Sequence, residues 1–214
     1  MTAITDLLQD VAQVVRRCPE PTLTQSILRA ARIFCTETRW LRREATFDTV
    51  AEQDRYELLL ATGENDLEVI GARLIRINDP TAPMGRTQIG PSSPTVWNVN
   101  AASGRPYTYG YVPEAMVDLF PTPDGVYTGT VVAQVTPTRT ASTLPVDLLA
   151  KWEYALIDGA TEYLLKIPGQ AWTNPALARQ EYGMKFRAAI NNARADEQRD
   201  YNTGTVVARI PKRF

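Results

Sequence analysis

What most constrains the fold of this 214-residue chain is a change of hydrophobic period, from helical to strand-like and back again. Near the start, Ile4, Leu7, Leu8, Val11, Val14 and Val15 recur at helical spacing until "RRCPEP" ends the segment, because proline cannot continue a helix. Thr22 and Gln25 have capping-box spacing, and Leu23, Ile27, Ala31 and Phe34 follow on one face to about Trp40, which predicts a second helix. From there "REATFDTV", "RYELLL" and "LEVIGARLIRI" alternate like strands, separated by polar turns such as "ATGEND". Residues 79–94, "DPTAPMGRTQIGPSSP", are too rich in proline and glycine for regular structure and read as a surface loop. "TVWNVN" and "RPYTYGYV" read as strands, the second with Tyr107, Tyr109 and Tyr111 on one face. In "MVDLFPTPDGVYTGTVVAQVT", Pro121 and Pro123 stiffen a crossing and Asp124-Gly125 supplies a turn, so two strands joined at a tight hairpin corner are predicted.

Helical spacing returns after the linker "PTRTAST". Leu144-Pro145 opens a long helix whose apolar stripe takes in Leu149, Trp152, Leu156, Gly159 and Tyr163, with Gly169 just past its end. A mid-helix glycine costs about 1 kcal/mol relative to alanine. Gly159 therefore predicts the close approach of another helix. Asn174-Pro175, as N-cap and first-turn proline, starts a final helix that would form a hairpin with the one before it. The chain finishes in "YNTGTVVARIPKRF", a short β-prone run with a basic end. The fold class expected is α+β: a helical bundle built from residues 1–40 and 141–199, an antiparallel β-rich domain inserted at 41–140, and an extended C-terminal arm at 200–214.

Composition narrows the chemistry. There is no histidine, which removes the usual general base and makes a zinc site uncommon. Cys18 and Cys35 lie in or beside predicted helices and read as small apolar side chains, not as a disulfide or metal site. Asp118, Asp124 and Tyr127 offer acids and a hydroxyl, yet nothing joins a nucleophile to a base, and no nucleotide fingerprint is present. Neither enzyme activity nor a cofactor is expected. The start "MTAITDLLQDVAQVV" does not resemble a secretory signal and no apolar run is long enough to span a bilayer, so a soluble protein with no membrane partner, made in a cytoplasm, is expected. With a formal net charge of −1 and a pI near 5.6, the chain has no global basic field to hold nucleic acid. Local basic clusters at Arg16 and Arg17, at Arg29 and Arg32, and at Arg39, Arg42 and Arg43 read as solvated helix faces or, alternatively, as a subunit interface. The tyrosine stripe reads first as a packed sheet face. A sugar-stacking platform on a carbohydrate- or receptor-binding module is the alternative.

Over about residues 23–193 the order of features resembles a known family. "ILRAARIFCTETRW" leads into strands, and then come "RPYTYGYVPEAMVDLFPTPDGVYTGTVV", "LPVDLLAKWEYALIDGATEYLL" and "NPALARQEYGMKFRAAINNA". In this the chain is similar to the head-to-tail adaptor proteins of tailed bacteriophages, including the tail tubular protein A type of short-tailed phages. The resemblance implies a structural virion protein assembled in the host cytoplasm. It would form a homo-oligomeric, dodecameric ring in the neck, between the portal protein and the tail nozzle or tail tube proteins, with DNA passing through its lumen without specific binding. A cyclic ring needs two different faces per subunit. Arg29, Arg32, Arg39 and Arg43, the strand tyrosines Tyr107, Tyr109 and Tyr111, and the acids of the final helix are the candidates for those faces. Tyr201, Val206, Val207, Ile210, Arg213 and Phe214 of the arm are the candidate portal or partner contact, where "TVVARI" could add a strand to a neighbour or to the portal. The alternatives for the arm are closure of the protein's own sheet, or a loose terminus.

Overall fold

A computed structural model describes residues 2–78, 86–92, 97 and 102–202. The β region comprises β1 (Thr2–Ala3), β2 (Arg42–Asp48), β3 (Arg55–Glu57), β4 (Leu59–Leu60), β5 (Leu67–Asn78), β6 (Arg86–Pro91), β7 (Thr108–Val112), β8 (Met116–Phe120), β9 (Thr128–Pro137) and β10 (Thr143–Leu144). β1 and β10 form a separate two-stranded ribbon, and the other eight lie in the order β3-β8-β7-β6-β5-β9-β2-β4. The two ends of that order, β3 and β4, are separated in the chain by Leu58 alone. One extended stretch therefore pairs with β8 on one side and then with β2 on the other, and the sheet closes on itself into a barrel.

The alternation read in the sequence sets which side chains fill this barrel. Ala45 and Phe47 of β2 are buried while Glu44, Thr46 and Asp48 between and beside them face out. Across the sheet, Ile77, Gly129 and Phe47 fall in one row and Ile75, Val131 and Ala45 in the next. The Phe47 ring stacks on Tyr56 with centroids 5.3 Å apart and lies over Gly129, where an added Cβ would come within 2.3 Å of it. β9 is central. Its first half alternates, whereas from Ala133 to Pro137 every residue is buried, because α2 lies against the outer face of that end.

Around the barrel's end pack α1 (Thr5–Val14), α2 (Glu20–Thr38), α3 (Val146–Leu165) and, after the short α4 (Pro175–Leu177) and a π-helical turn (Ala178–Tyr182), α5 (Gly183–Asn202). Their shared core centres on an aromatic cluster: Phe34 lies 5.3 Å from Trp152 and 6.4 Å from Phe186, and Trp40 meets Trp152 edge-on at 6.0 Å. Gly159 of α3 faces the Phe186 ring, which a Cβ there would meet at 2.8 Å, so the close approach anticipated from that glycine is present. Asn174 caps α4 by accepting a hydrogen bond from the Leu177 N–H at 3.1 Å.

Several sequence expectations need correction. The Thr22–Gln25 capping box does not form. α2 begins three residues earlier, with extended Pro19 as its N-cap, and Pro21 in its first turn has no N–H needing a partner. Strand β6 occupies residues 86–91 of the expected surface loop, pairing with β5 through its first part and with β7 through Gly90 and Pro91. That second pairing is parallel, so the sheet is not wholly antiparallel; residues 92–107 supply the long return a parallel pair requires. The hairpin corner is also absent. β8 pairs with β7 and β3, β9 pairs with β2 and β5, and residues 121–127 cross between them. Of "TVWNVN" only Trp97 is described, stacked on Phe120 at 5.3 Å. Tyr201 belongs to α5, and residues 203–214 lie outside the described residues.

Two carboxylates tie the barrel to the helices. Asp66 accepts hydrogen bonds from the Thr143 hydroxyl at 2.5 Å and backbone N–H at 2.9 Å, and from the Ser142 N–H at 3.2 Å. These donors, the Thr143 hydroxyl foremost, hold its pKa below the ordinary 3.8. Asp147 at the start of α3 receives both terminal nitrogens of Arg43 at 3.0 Å, and Arg43 Nε lies 2.6 Å from Glu64. Burial pushes Asp147 upward, but the Arg43 guanidinium outweighs it and the carboxyl also ends below 3.8.

A folded-state carboxylate pKa lowered in this way adds stability that is complete above the unfolded value and is lost as pH falls through the folded one. The urea midpoint should therefore drop as pH is lowered from 3.8, and Asp66→Asn should flatten that drop while lowering the midpoint at neutral pH. Gly129→Val and Gly159→Val should each destabilise the fold by about 1–3 kcal/mol through overpacking against Phe47 and Phe186, read in the same titration.

Candidate functional site

Among the described residues no helix is long and apolar enough to cross a membrane, and no group of His, Cys, Asp and Glu side chains could hold a metal ion. What the surface offers is contact area, and the question is which charged and apolar side chains remain available once the fold has used its own.

Most of the arginines singled out in the sequence work inside the chain. Arg32 donates to the Pro137 carbonyl at 2.6 Å and pairs with Glu68 at 2.8 Å, fixing α2 to the helical end of β9. Arg43 is held by Asp147 and Glu64. Arg39 ends α2 in the left-handed region, with φ 53° and its N–H donating to the Cys35 carbonyl. The acids of the final helix are likewise engaged: Glu197 lies 2.7 Å from Arg73, and Asp196 lies 2.7 Å from Lys151. Arg194 reaches Glu37 at 2.9 Å. These pairs pin α5 to β5, α3 and α2.

Arg29 is different. It is exposed, and its guanidinium sits over the Tyr163 ring, 4.3 Å from the centroid. Together with Gln25, Leu28, Arg32, Ile33, Arg139 and Tyr163 it lines an open groove of about 470 Å³ on the helical end of the molecule. Arg139 lies in the linker "PTRTAST" and Tyr163 in the apolar stripe of α3, so the sequence offers neither as a site residue. The 3.6-residue period places Tyr163 near that stripe's edge, and no sequence signal set Arg139 beside Arg29.

The three tyrosines divide. Tyr109 is fully buried, Tyr111 is half-buried, and their hydroxyls point to the carbonyls of Ala72 and Val69 at 3.4 and 3.3 Å. Only Tyr107, just before β7, is exposed, edge-on to Phe120. An open platform of three rings for stacking a sugar does not form. The acids noted for their chemistry are also structural: Asp118 binds Arg55 through two contacts of 2.7 and 2.9 Å, and Asp124 accepts from the Tyr127 hydroxyl at 2.5 Å.

At the other end of the barrel the turn between β2 and β3 is stapled to the 121–127 crossing. Thr49 N–H donates to the Tyr127 carbonyl at 2.8 Å and accepts at its hydroxyl from Tyr127 N–H at 2.7 Å, while Glu52 N–H donates to the Pro123 carbonyl at 2.9 Å. The buried Tyr56 hydroxyl closes the turn from beneath, accepting from Val50 N–H and donating to the Gln53 carbonyl. This fixed tip presents Val50 and Val126, 55% and 65% exposed, among the exposed acids Asp48, Glu52, Asp54 and Asp124. Of the candidate portal contacts, Tyr201 lies in α5, and Val206, Val207, Ile210, Arg213 and Phe214 fall outside the described residues.

The molecule therefore presents a rigid body with an arginine-lined groove at one end and an acidic, valine-tipped knob at the other. No curated protein matches the chain. The model of one protein family, described as SU10 adaptor protein, matches residues 1–209, which takes in the helices, the barrel and part of the tail. With almost its whole length matched, the chain belongs to the SU10 adaptor protein family and is a structural component of a phage virion that contacts other virion proteins.

Proposed function

We propose that this protein is a head-to-tail adaptor: copies form a closed, dodecameric ring between the portal and the tail nozzle or tail tube, and the genome leaves through the ring's lumen. The observation that carries the reading is the family match over residues 1–209, which spans the barrel and the helices together. Net charge supports the passage of DNA. A wall holding many lasting phosphate contacts would have to break each of them as the genome moved, and a chain of formal charge −1 builds no such field. The barrel's strand order, in which β3 and β4 adjoin through Leu58, supports assembly chiefly through side-chain faces. Tyr201, Val206, Val207, Ile210, Arg213 and Phe214 are proposed as the portal contact, the β-prone run adding a strand to an edge on the portal. Assembly takes place in the host cytoplasm.

The test is the native mass of the protein alone and mixed with the portal protein encoded by the same phage, followed by electron microscopy of any large species. A closed ring, or a ring formed only on the portal, is the expected result. A chain that stays monomeric in both conditions would overturn the reading. Deleting residues 203–214 should abolish portal docking, read in the same native-mass measurement.

A further inference from the structure

The geometry points to a specific contact between copies: the acidic knob of one subunit seats in the arginine groove of the next. This rests on the ring reading above and supplies the two faces that reading requires.

Three observations carry it. The first is position. Asp48 pairs in register with Thr128 at one end of β9, whereas Arg32 donates to the carbonyl of Pro137 at the other end. Ten strand residues separate the two surfaces, roughly 30 Å at about 3.3 Å per residue. Two unlike surfaces at opposite ends of one rigid strand make a heterologous, head-to-tail contact, the kind that generates a ring when the rotation between copies closes.

The second is charge. Arg32 of the groove is already paired with Glu68, but among the described residues Arg29 meets the Tyr163 face and Arg139 is exposed beside it, so the groove keeps two cations facing solvent. The knob holds the opposite sign. Asp48, Glu52 and Asp54 are all exposed, and the one arginine of that turn, Arg55, is occupied by Asp118. A carboxylate brought to a guanidinium forms a charge-assisted, often two-pronged hydrogen bond, with geometric selectivity that a lysine would not give.

The third is apolar fit and rigidity. Val50 and Val126 project from the knob, while Ile33, Leu28 and the Tyr163 ring line the groove. Glu52 is held with φ 66°, a left-handed conformation costly for a residue other than glycine, by its hydrogen bond to the Pro123 carbonyl. The tip is thus fixed before any partner arrives, which lowers the ordering cost of binding.

The experiment uses two full-length variants, Arg29→Glu/Arg139→Glu in the groove and Asp48→Lys/Glu52→Lys in the knob, each first shown by urea titration to fold. Native mass is measured with and without portal protein. Each variant alone should stay monomeric, its self-association weakened about tenfold or more. An equimolar mixture should regain rings of alternating subunits, because a wild-type knob meets a wild-type groove at one junction and the reversed knob meets the reversed groove at the next. The chain carrying all four reversals should regain rings, and salt should weaken the wild-type contact. If the wild type forms rings and both variants do so equally well, the knob-in-groove contact is wrong and the ring reading stands. If the wild type forms no ring even with the portal, the ring reading fails and this contact falls with it.

Discussion

Strand β9 carries the constraint on which the other elements depend. It pairs with β5 along its whole length, Thr128 to Pro137, and on its other side with β2 from Thr128 to Gln134. At its Thr128 end it is an ordinary barrel strand, with one face inward and one face to solvent. At its Pro137 end it is buried on both faces, with barrel on one and α2 on the other. A single ten-residue segment thus belongs to two packed regions, and neither can loosen without uncovering part of the other. The buried Gln134 marks the join: Gly71, beside a bulge in β5, leaves room for its side chain, since a Cβ there would lie 2.6 Å from Gln134 Oε1.

Electrostatics follow the same division. The nearly neutral total conceals an uneven distribution. In the middle of the molecule, arginines of α2, β2 and β5 meet glutamates and aspartates from the next element, and these pairs set the angle between barrel and helices. Towards the two ends such pairs persist in Arg32–Glu68 and Arg55–Asp118, while Arg29 and Arg139 at one end and Asp48, Glu52 and Asp54 at the other face solvent. Exposed charges contribute little to stability, so in the contact proposed above they would act on the choice and orientation of neighbours.

Much of this was legible in the sequence. The period change located the helices and most of the strands, Gly159 announced the contact that Phe186 makes, and Asn174-Pro175 marked a helix start that the Leu177 hydrogen bond confirms. What could not be read was pairing. Asp124-Gly125 looked like a hairpin turn because local chemistry cannot reveal that β8 and β9 find their partners elsewhere in the chain. Gly90 and Pro91 looked like loop residues, whereas they lie where β6 changes partners, a place that tolerates both. The candidate site suffered most. Arg32 and Arg43 were good candidates for an interface by composition, but their partners Glu68, Glu64 and Asp147 lie far along the chain and come near only on folding. Tyr109 was lost to the core for the same reason.

The closure of the barrel by the single stretch of β3, Leu58 and β4 bears on life inside a crowded particle. Subunits held side by side in an assembly experience a local concentration far above any in free solution, the condition under which exposed strand edges fuse sheets into fibres. Here the first and last positions of the strand order are adjoining parts of one chain, so β3 and β4 are not left as two free end strands. Neighbours can be packed tightly and still remain separate folding units.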